Sequence, residues 1–407
     1  MTIKYIQGGV TSPKGFTSSG IHCGIKKNKD KKDLALIISE KECNAAAVYT
    51  KNQVKGAPLL VTKDHLKNNT AKAIIINSGN ANTCTGDTGL ANARKMCEFV
   101  ANALNYNTED VIVASTGVIG VQLDIDKIKD SIPTLVGSLS ENGYLASTEA
   151  IMTTDTFEKT LALEFELSGK KVTIGAMAKG SGMIHPNMAT MLSFITTDIN
   201  ISPTLLDKAL KASVNISYNR ISVDGDTSTN DMVTILANGL AENNLIDEEN
   251  EDYLLFLEAL KTITISLAKM IAKDGEGATK LIECTVLNAK SEEEGELLSK
   301  SVISSSLVKA AIFGSDANWG RILCALGYSG IDFDPLKVDL TFGSSVGTIK
   351  VCENGSPLNF SEEIAKNILL EKEIQILVDM KAGSNTVTCW GCDLTYDYVK
   401  INGDYRS

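Results

Sequence analysis

Histidine is scarce in this sequence: its 407 residues include only His22, His65 and His185. An enzyme that relies on a histidine base therefore has few residues to use. The P-loop pattern GxxxxGK[ST] and the zinc pattern HExxH are absent, and no GxGxxG follows a predicted strand. These absences argue against P-loop nucleotide hydrolysis, HExxH metalloprotease chemistry and dinucleotide-dependent oxidation.

Positive charge is also in short supply. Lysine and arginine number 39 against 50 acidic residues, which gives a net charge of −11. Such a chain lacks the basic surface that nucleic-acid phosphates require. The first ten residues lack the basic and apolar regions of a secretory signal, and no run of 18 apolar residues could span a membrane. We therefore expect a cytoplasmic protein that binds neither nucleic acid nor a membrane.

The nine cysteines are scattered, which is typical of free thiols in a reducing compartment. Cys389 and Cys392 have the spacing of a disulfide or of half a metal site. However, they lie in a run predicted as a strand, on which residues three apart point to opposite faces. No second CxxC accompanies them. An ordinary structural role is favoured for this pair, and no metal site is predicted.

The length and the apolar pattern indicate an α+β fold with more than one lobe. A chain of 407 residues exceeds the size at which one hydrophobic core usually stops growing, so two or three lobes are expected. Short β-rich runs alternate with amphipathic helices, and roughly the last seventy residues mostly alternate like strands. Strands mixed with segregated helices favour a layered α+β architecture over a doubly wound sheet.

Individual segments carry a clear periodicity. A helix at 123–139 should be interrupted near Pro133, because proline removes a backbone donor. The acidic run 292–296 is predicted as a solvated loop, and YVKIN at 398–402 as a strand. The other main predictions are strands at 72–76, 110–114 and 232–237, a hairpin at 161–178, and helices at 203–214 and 252–272.

The segment KGSGMIHPNMATMLSF (179–194) contains a threonine that could act as a nucleophile. A threonine at a chain N-terminus can use its own α-amine, with a pKa of about 8, as the base for its hydroxyl. Creating that terminus requires the Thr190 hydroxyl to attack the preceding carbonyl, and the small Ala189 suits such a strained turn. The alternatives from the residues alone are an ordinary buried loop and a Thr190–His185 pair, although Pro186 constrains the backbone beside His185.

Eight motifs support a more specific interpretation. They are NSGNAN (77–82), STGVIG (115–120), MTTDT (152–156), MIHPNMATML (183–192), SVDGDTSTND (222–231), DGEGATK (274–280), GSDANWGRI (314–322) and WGCDLTYDYVKING (390–403). In this order, and over the whole chain, they resemble the ornithine acetyltransferase family, the glutamate N-acetyltransferases of arginine biosynthesis. The resemblance implies an α/β/β/α-like architecture of the N-terminal-nucleophile type, with additional smaller lobes.

The resemblance implies that the chain cleaves itself between Ala189 and Thr190, giving an α chain, 1–189, and a β chain, 190–407. Thr190 would then take an acetyl group from N-acetylornithine and pass it to glutamate, a ping-pong exchange through acetyl-Thr190. The Thr116 hydroxyl and the Gly117 N–H would stabilise the tetrahedral oxyanion. A strand that ends in Thr-Gly can turn both groups towards one point.

The resemblance also implies a set of substrate contacts. A lysine suits a substrate carboxylate, and a glutamate suits a substrate ammonium. Members of the family commonly end in threonine, so the C-terminal serine is a departure that keeps the hydroxyl and the terminal carboxylate. The implied contacts are Thr153, Lys179, Thr190, Glu276, Asn402 and Ser407.

No metal or bound cofactor is expected for this chemistry, and acetyl-CoA remains open as a second acetyl donor. The family resemblance implies an α2β2 heterotetramer. Two other functions stay open at this point: an N-terminal-threonine aminopeptidase or amidohydrolase, in which water is the acceptor, and a binding protein in which 183–192 packs in the core. SVDGDTSTND (222–231) has aspartates like half a calcium loop, but its glycine and distal acid are misplaced, so a structural turn is favoured.

Overall fold

The protein is described here from a computed structural model, which covers residues 3–185 and 191–404. Its strands in these ranges are β1 (Lys4–Ile6), β2 (Phe16–Ile21), β3 (Leu34–Tyr49), β4 (Thr70–Asn80), β5 (Val111–Val118), β6 (Lys159–Leu167), β7 (Lys170–Lys179), β8 (Leu192–Thr197), β9 (Ile221–Ser222), β10 (Met232–Ala237), β11 (Leu281–Ala289), β12 (Asp339–Ser344), β13 (Gly347–Glu353), β14 (Ser356–Pro357), β15 (Glu373–Asp379) and β16 (Asn385–Cys392). Its helices are α1 (Ala57–His65), α2 (Gly86–Leu104), α3 (Ile125–Gly137), α4 (Tyr144–Ile151), α5 (Pro203–Ile216), α6 (Glu251–Lys273), α7 (Glu292–Ser304), α8 (Ser306–Phe313), α9 (Trp319–Gly327), α10 (Glu362–Leu369) and α11 (Tyr396–Gly403).

The described residues divide into two compact units, each with its own sheet. The layered α+β class predicted from the sequence is confirmed, because sheets that are partly parallel and partly antiparallel pack with helices in both units. The covalent fragments 1–189 and 190–407 are a different division, which the packing units do not test. The first unit holds residues 3–180, 191–219 and 227–267, and the second holds 181–185, 220–226 and 268–404.

The first unit is built on a nine-stranded sheet in the order β1-β6-β7-β8-β10-β3-β4-β5, with β2 paired to β3. The pairs β8–β10 and β4–β5 are parallel. In β4, Ile74 and Ile76 point into one buried apolar cluster, and Ala73 and Ile75 point into another on the opposite face. The continuous apolar run that predicted a buried strand at 72–76 thus reflects a sheet covered on both sides.

Two strands that follow residue 190 lie between strands that precede it. Strand β8 pairs with β7, with Leu192 opposite Lys179. Strand β10 pairs with β3, with Met232 opposite Tyr49, and β8 and β10 pair with each other. A chain cut between residues 180 and 191 would therefore still share one hydrogen-bonded sheet between its two pieces.

The second unit is built on a seven-stranded sheet in the order β14-β13-β12-β15-β11-β16-β9. In this sheet β11 lies between β15, to which it is parallel, and β16, to which it is antiparallel. The apolar side chains of these strands pack with those of α7, α8, α9 and α10 in one buried cluster. Within the described ranges, no helix is both long and apolar enough to cross a membrane.

The cysteines are free thiols, as predicted. In β16 the buried Cys389 accepts a hydrogen bond from the Ser299 hydroxyl at 2.9 Å. The buried Cys392 lies 3.6 Å from the Lys309 Nζ. The two sulfurs thus have separate partners, which agrees with the strand alternation and with an ordinary structural role for this CxxC pair.

The prediction of a loop at 292–296 was wrong, because this acidic run forms the first turns of α7. Ser291 is the N-cap, and its side chain accepts a hydrogen bond from the Glu294 N–H at 3.1 Å. Negative side chains in a first turn are stabilised by the positive end of the helix dipole. An acidic cluster directly after a serine was therefore the signature of a helix start.

Two further predictions about local structure were wrong. The run 398–402 lies in the helix α11 and is not a strand, because Thr395 caps the helix by accepting from the Tyr398 N–H at 3.4 Å. Helix α3 continues through Pro133 without interruption. The carbonyl that loses its donor belongs to Lys129, an exposed residue, so solvent can replace the missing hydrogen bond.

Candidate active site

The predicted site residues are distributed over both units. Thr116 and Gly117 lie near the end of β5, Thr153 lies just after α4, and Lys179 ends β7, all in the first unit. Glu276 and Asn402 lie in the second unit. The predicted nucleophile and cleavage residues, Thr190 and Ala189, and the C-terminal Ser407 lie outside the described residues.

Strand β5 forms an edge of its sheet, and side chains cap the outward-facing groups of its backbone. The Thr62 hydroxyl donates to the Val113 carbonyl at 2.7 Å and accepts from the Val113 N–H at 2.9 Å. The His65 Nδ1 lies 2.7 Å from the Val111 carbonyl oxygen. Two residues beyond Val113, the Ser115 carbonyl accepts from the Asn230 side-chain amide at 3.0 Å. Side chains thus take the place of a neighbouring strand.

The same alternation runs up to Gly117, where the β4–β5 register shifts between Gly79 and Asn80. Because backbone groups that face one edge recur every second residue, the outward groups at 111, 113 and 115 place the Gly117 N–H on the same free edge. No side chain or loop carbonyl in the described ranges accepts a hydrogen bond from this N–H. Gly117 therefore presents an open backbone donor beside Thr116, whose side chain is half-buried.

Position 117 also requires glycine. Its φ is +130°, a backbone conformation that residues other than glycine rarely adopt. A Cβ at this position would lie 2.3 Å from the Gly79 carbonyl carbon and 2.5 Å from the Asn80 nitrogen. The close approach of β4 and β5 at this point therefore depends on the missing side chain.

A buried network joins Thr153 to Lys179 through Asp155, a residue to which the sequence analysis gave no role. The Asp155 carboxylate accepts from the Thr153 N–H at 3.0 Å, from the Gly180 N–H at 2.7 Å and from the Lys159 Nζ at 2.8 Å. Burial opposes its ionisation, but the charges of Lys179 and Lys159 hold the pKa of Asp155 below its usual value. Asp155 is thus a buried carboxylate that fixes the backbone on both sides of this region.

Lys179 is 8% exposed, and its Nζ has no hydrogen-bond or ion-pair partner within the described residues. Lys26 lies nearby and donates to the Met152 carbonyl at 2.7 Å, one residue before Thr153. Burial, with the positive charges of Lys31 and Lys179, lowers the pKa of Lys26 to about 8, although the charge of Asp33 opposes this. The charge of Lys179 acts on Asp155, but its ammonium forms no direct hydrogen bond or ion pair with a described residue, so Lys179 is suited to bind a further anionic group.

The segment before β10, for which the sequence predicted a structural turn, contributes two more buried polar residues. The Asn230 side chain reaches Ser115, as described above. Asp231 follows it, and one of its carboxylate oxygens has no partner in the described ranges. Burial raises the pKa of Asp231 well above its usual value, against the opposing effects of the Ser228 hydroxyl and the Lys179 charge. Asp231 is therefore favoured in its neutral form.

In the second unit, the predicted residues Glu276 and Asn402 do come together. The Asn402 side-chain amide donates to a Glu276 carboxylate oxygen at 2.8 Å. The Glu276 N–H donates to the Ser181 carbonyl at 2.9 Å. A Cβ on Gly182 would lie 2.2 Å from the Glu276 carboxylate, so the backbone at Gly182 packs directly on this side chain. The absence of a side chain at Gly182 therefore allows the Glu276 carboxylate to pack against the backbone.

His185, the alternative base, lies in the second unit, where its Nδ1 is 3.0 Å from the Ser222 hydroxyl. Burial and the nearby charge of Lys300 lower its pKa, although Asp224 and Asp226 oppose the shift. A lowered pKa favours the neutral imidazole, which is the form that a general base requires.

Comparison with known proteins decides the family. Residues 17–407 match the ArgJ family. The chain is 54% identical to the arginine biosynthesis bifunctional protein ArgJ of Caldanaerobacter subterraneus subsp. tengcongensis over 405 residues, and each chain is fully covered. The chain belongs to the ArgJ family. It is also 54% identical, again over the full length of both chains, to the arginine biosynthesis bifunctional protein ArgJ 1 of Clostridium acetobutylicum.

A solved structure within the ArgJ family is also similar. The crystal structure of the arginine biosynthesis bifunctional protein ArgJ from Bacillus halodurans matches 53% of this chain and 99% of its own chain, with 49% identity and a TM-score of 0.51. The resemblance that the eight motifs predicted is thus confirmed at the level of the family. Asp155 lies in the motif 152–156 and Asn230 in the motif 222–231, and the structure adds their contacts with Thr153 and Ser115.

Proposed function

We propose that this ArgJ-family enzyme is an acetyltransferase of arginine biosynthesis that moves an acetyl group from N-acetylornithine to glutamate. The observation that carries the proposal is the position of the Gly117 N–H at the edge of β5, beside Thr116, where no side chain or loop carbonyl of the described residues accepts from it. An acyl-transfer site needs preorganised donors of this kind for the oxyanion of its tetrahedral intermediate. Relatives that are 54% identical over their full length carry the name of an arginine biosynthesis protein, which supports the pathway.

Before the first cycle, the Thr190 hydroxyl is proposed to attack the Ala189 carbonyl, so that the peptide bond breaks as an ester to the Thr190 oxygen forms. Water then hydrolyses this ester, which leaves the Ala189 carboxylate and frees the Thr190 hydroxyl and α-amine. The new α-amine then removes the hydroxyl proton as Thr190 attacks the acetyl carbonyl of N-acetylornithine. Ornithine leaves with that proton on its α-nitrogen, and acetyl-Thr190 remains. The α-amine of glutamate attacks this ester, its proton returns to Thr190, and N-acetylglutamate leaves. The Thr116 hydroxyl and the Gly117 N–H donate to the oxyanion in each step.

Substrate recognition is proposed to rest on charge. N-acetylornithine and glutamate both carry an α-carboxylate, and the Lys179 ammonium, which is unpartnered among the described residues, is suited to receive it. Thr153 is held beside this region by Asp155, and we propose it as a further contact. Glu276, Asn402 and Ser407 are proposed as substrate contacts from the family resemblance, with Glu276 accepting an ammonium group.

The proposal also covers the assembly of the fragments, their location and the acetyl donor. The two cleavage fragments are proposed to stay together and to assemble as an α2β2 heterotetramer in the cytoplasm. No metal or bound cofactor takes part in the proposed chemistry, and acetyl-CoA is retained as a candidate second donor. Size-exclusion chromatography with light scattering, and an assay with acetyl-CoA in place of N-acetylornithine, check the assembly and the donor.

The test of the function is an acceptor assay with the purified full-length protein. N-acetylornithine labelled in its acetyl group is incubated with glutamate, and labelled N-acetylglutamate is expected. Labelled free acetate without N-acetylglutamate would instead show a hydrolase, in which water is the acceptor. No labelled product of either kind would contradict the proposal and favour a binding protein.

Thr116→Ala is expected to slow both self-cleavage and acetyl transfer by on the order of 100-fold, because one oxyanion donor is lost. Thr116→Ser is the matched control, since it keeps the hydroxyl, and it should retain most of the rate. The cleavage rate is followed by electrophoresis and the transfer rate by the labelled-acetyl assay. Unchanged rates in Thr116→Ala would remove this residue from the proposed site.

Lys179→Met is expected to lower kcat/KM by about 10- to 100-fold, mainly through KM, because a charge-assisted contact to the substrate carboxylate contributes roughly 1.5–3 kcal/mol. Lys171→Met is the control: Lys171 lies on the same strand, β7, but is exposed and pairs with Glu164 at the surface. Steady-state kinetics with varied N-acetylornithine measure both. Equal effects of the two substitutions would contradict a specific role for Lys179.

A further inference from the structure

Asn230 lies in SVDGDTSTND (222–231), to which the sequence analysis gave no catalytic role. It is 5% exposed, and its side-chain amide makes a full set of hydrogen bonds. The nitrogen donates to the Ala81 carbonyl at 2.6 Å and to the Ser115 carbonyl at 3.0 Å. The oxygen accepts from the Thr83 hydroxyl at 2.5 Å and from the Thr229 hydroxyl at 2.6 Å. The orientation of this amide is therefore fixed, because a flipped amide would face two carbonyls with its oxygen.

These contacts hold β5 on both sides of the proposed oxyanion donors. Before Thr116 and Gly117, the Ser115 carbonyl is bound directly by Asn230. After them, the Ala81 N–H donates to the Val118 carbonyl at 2.9 Å, and the Gly120 N–H donates to the Thr83 carbonyl at 2.9 Å. Ala81 and Thr83 are themselves partners of Asn230. The Asn230 side chain thus binds β5 directly before the two donors. It also binds the loop 81–83, which in turn holds β5 and the residues that follow it beyond the donors.

Asn230 lies two residues before β10, the strand that pairs with β8. Met232 pairs with Leu192 at the start of the parallel strands β10 and β8. Asn230 precedes Met232 by two residues, as Thr190 precedes Leu192. Asn230 therefore belongs to the segment that enters the sheet beside the nucleophile strand, and it reaches from there to the strand that carries the oxyanion donors.

We propose that Asn230 is a positioning residue, which aims the Thr116 hydroxyl and the Gly117 N–H at the oxyanion without touching the substrate. This inference rests on the proposed function, because Asn230 acts through the two oxyanion donors that the proposed function assigns. Among the described strands none pairs with the outer edge of β5, so we infer that the geometry of the donors depends on side-chain caps. Oxyanion donors act over about 2.7–3.1 Å, so a small displacement of the strand removes much of their effect.

The test is the nearly isosteric Asn230→Asp, which replaces a donor with an acceptor facing the Ala81 and Ser115 carbonyls. We expect kcat to fall by about 10- to 100-fold, with KM changed by less than about threefold. The loss relative to wild type should shrink as the pH falls, because the introduced carboxyl group regains one donor when it is protonated. Asn238→Asp is the matched control: Asn238 is a buried asparagine just after β10, and it donates to the Lys14 carbonyl at 2.8 Å.

Hydrogen–deuterium exchange gives a readout that does not require transferase activity. The peptide covering 115–120 should exchange faster in Asn230→Asp than in wild type, and it should not do so in Asn238→Asp. Unchanged exchange of this peptide, or an equal loss of kcat in the two variants, would overturn the inference. If the wild-type protein transfers no acetyl group, the proposed function fails, while the exchange comparison still decides whether Asn230 positions this strand.

Discussion

Thr190→Ala is expected to remain one uncleaved chain and to lose acetyl transfer by at least about 10⁴-fold. Alanine has no hydroxyl to attack the Ala189 carbonyl, so neither the cut nor the acetyl ester can form. Removal of a covalent nucleophile leaves only the rate that substrate binding and the oxyanion donors provide. Denaturing electrophoresis measures the cleavage, and intact mass spectrometry with N-acetylornithine measures the acetyl adduct on the 190–407 fragment.

Two further variants separate the alternatives for activation of Thr190. Thr190→Ser keeps a hydroxyl and should still cleave, at a reduced rate. His185→Gln should cleave and transfer acetyl at close to the wild-type rate if the α-amine is the base. Loss of transfer in His185→Gln, with the fold intact by circular dichroism, would instead favour the histidine. Cleavage of Thr190→Ala at the normal rate would contradict self-processing by this residue.

The sheet of the first unit explains why cleavage should leave the enzyme assembled. Strands β8 and β10, from the 190–407 fragment, lie between β7 and β3, from the 1–189 fragment. The β7–β8 pairing continues from Lys179 opposite Leu192 to Ile174 opposite Thr197. Separation of the fragments would break two strand pairings in the middle of a buried sheet. The fragments should therefore elute together after cleavage and separate only on denaturation.

The strands and helices that the sequence predicted best were those with a long, regular apolar pattern. The run 72–76 was predicted as a buried strand and lies in β4, and the helix predicted at 252–272 is α6 (Glu251–Lys273). The prediction failed where a short cap decided the structure, as at Ser291 and Thr395. One hydroxyl that accepts a backbone N–H can outweigh a five-residue alternation such as YVKIN, because local periodicity is weak over so few residues.

The candidate site was predictable only in part, for a related reason. The family resemblance implied Thr116 and Gly117 as oxyanion donors and Lys179 and Glu276 as substrate contacts, and the strand end and the charges agreed with it. The sequence could not show that β5 is an edge strand, because strand order depends on pairings between distant segments. Asp155 and Asn230 were missed for this reason. Their roles arise from contacts with Gly180 and Ser115, which are 25 and 115 positions away in the chain.

Gly117→Ala is expected to have the second-largest effect, because it acts on the oxyanion site and on the sheet together. The added Cβ would lie 2.3 Å from the Gly79 carbonyl carbon, a backbone atom that cannot move aside as a flexible side chain could. The positive φ of 117 adds strain of its own. We expect the free energy of unfolding to fall by on the order of 3 kcal/mol, and acetyl transfer to fall by about 10²- to 10³-fold.

Gly120→Ala separates the effect of backbone strain from the effect of the overlap with β4. Gly120 also has a positive φ, +80°, but no atom of the described residues lies within 4 Å of the position that its Cβ would occupy. This variant should therefore lose only the roughly 1–2 kcal/mol of backbone strain and keep its catalytic rate. Chemical denaturation measures the stability of both variants, and kcat is measured where both are fully folded. If Gly117→Ala lost stability but transferred acetyl at the rate of Gly120→Ala, the Gly117 N–H would not be an oxyanion donor, since a displaced strand could not hold that donor in place.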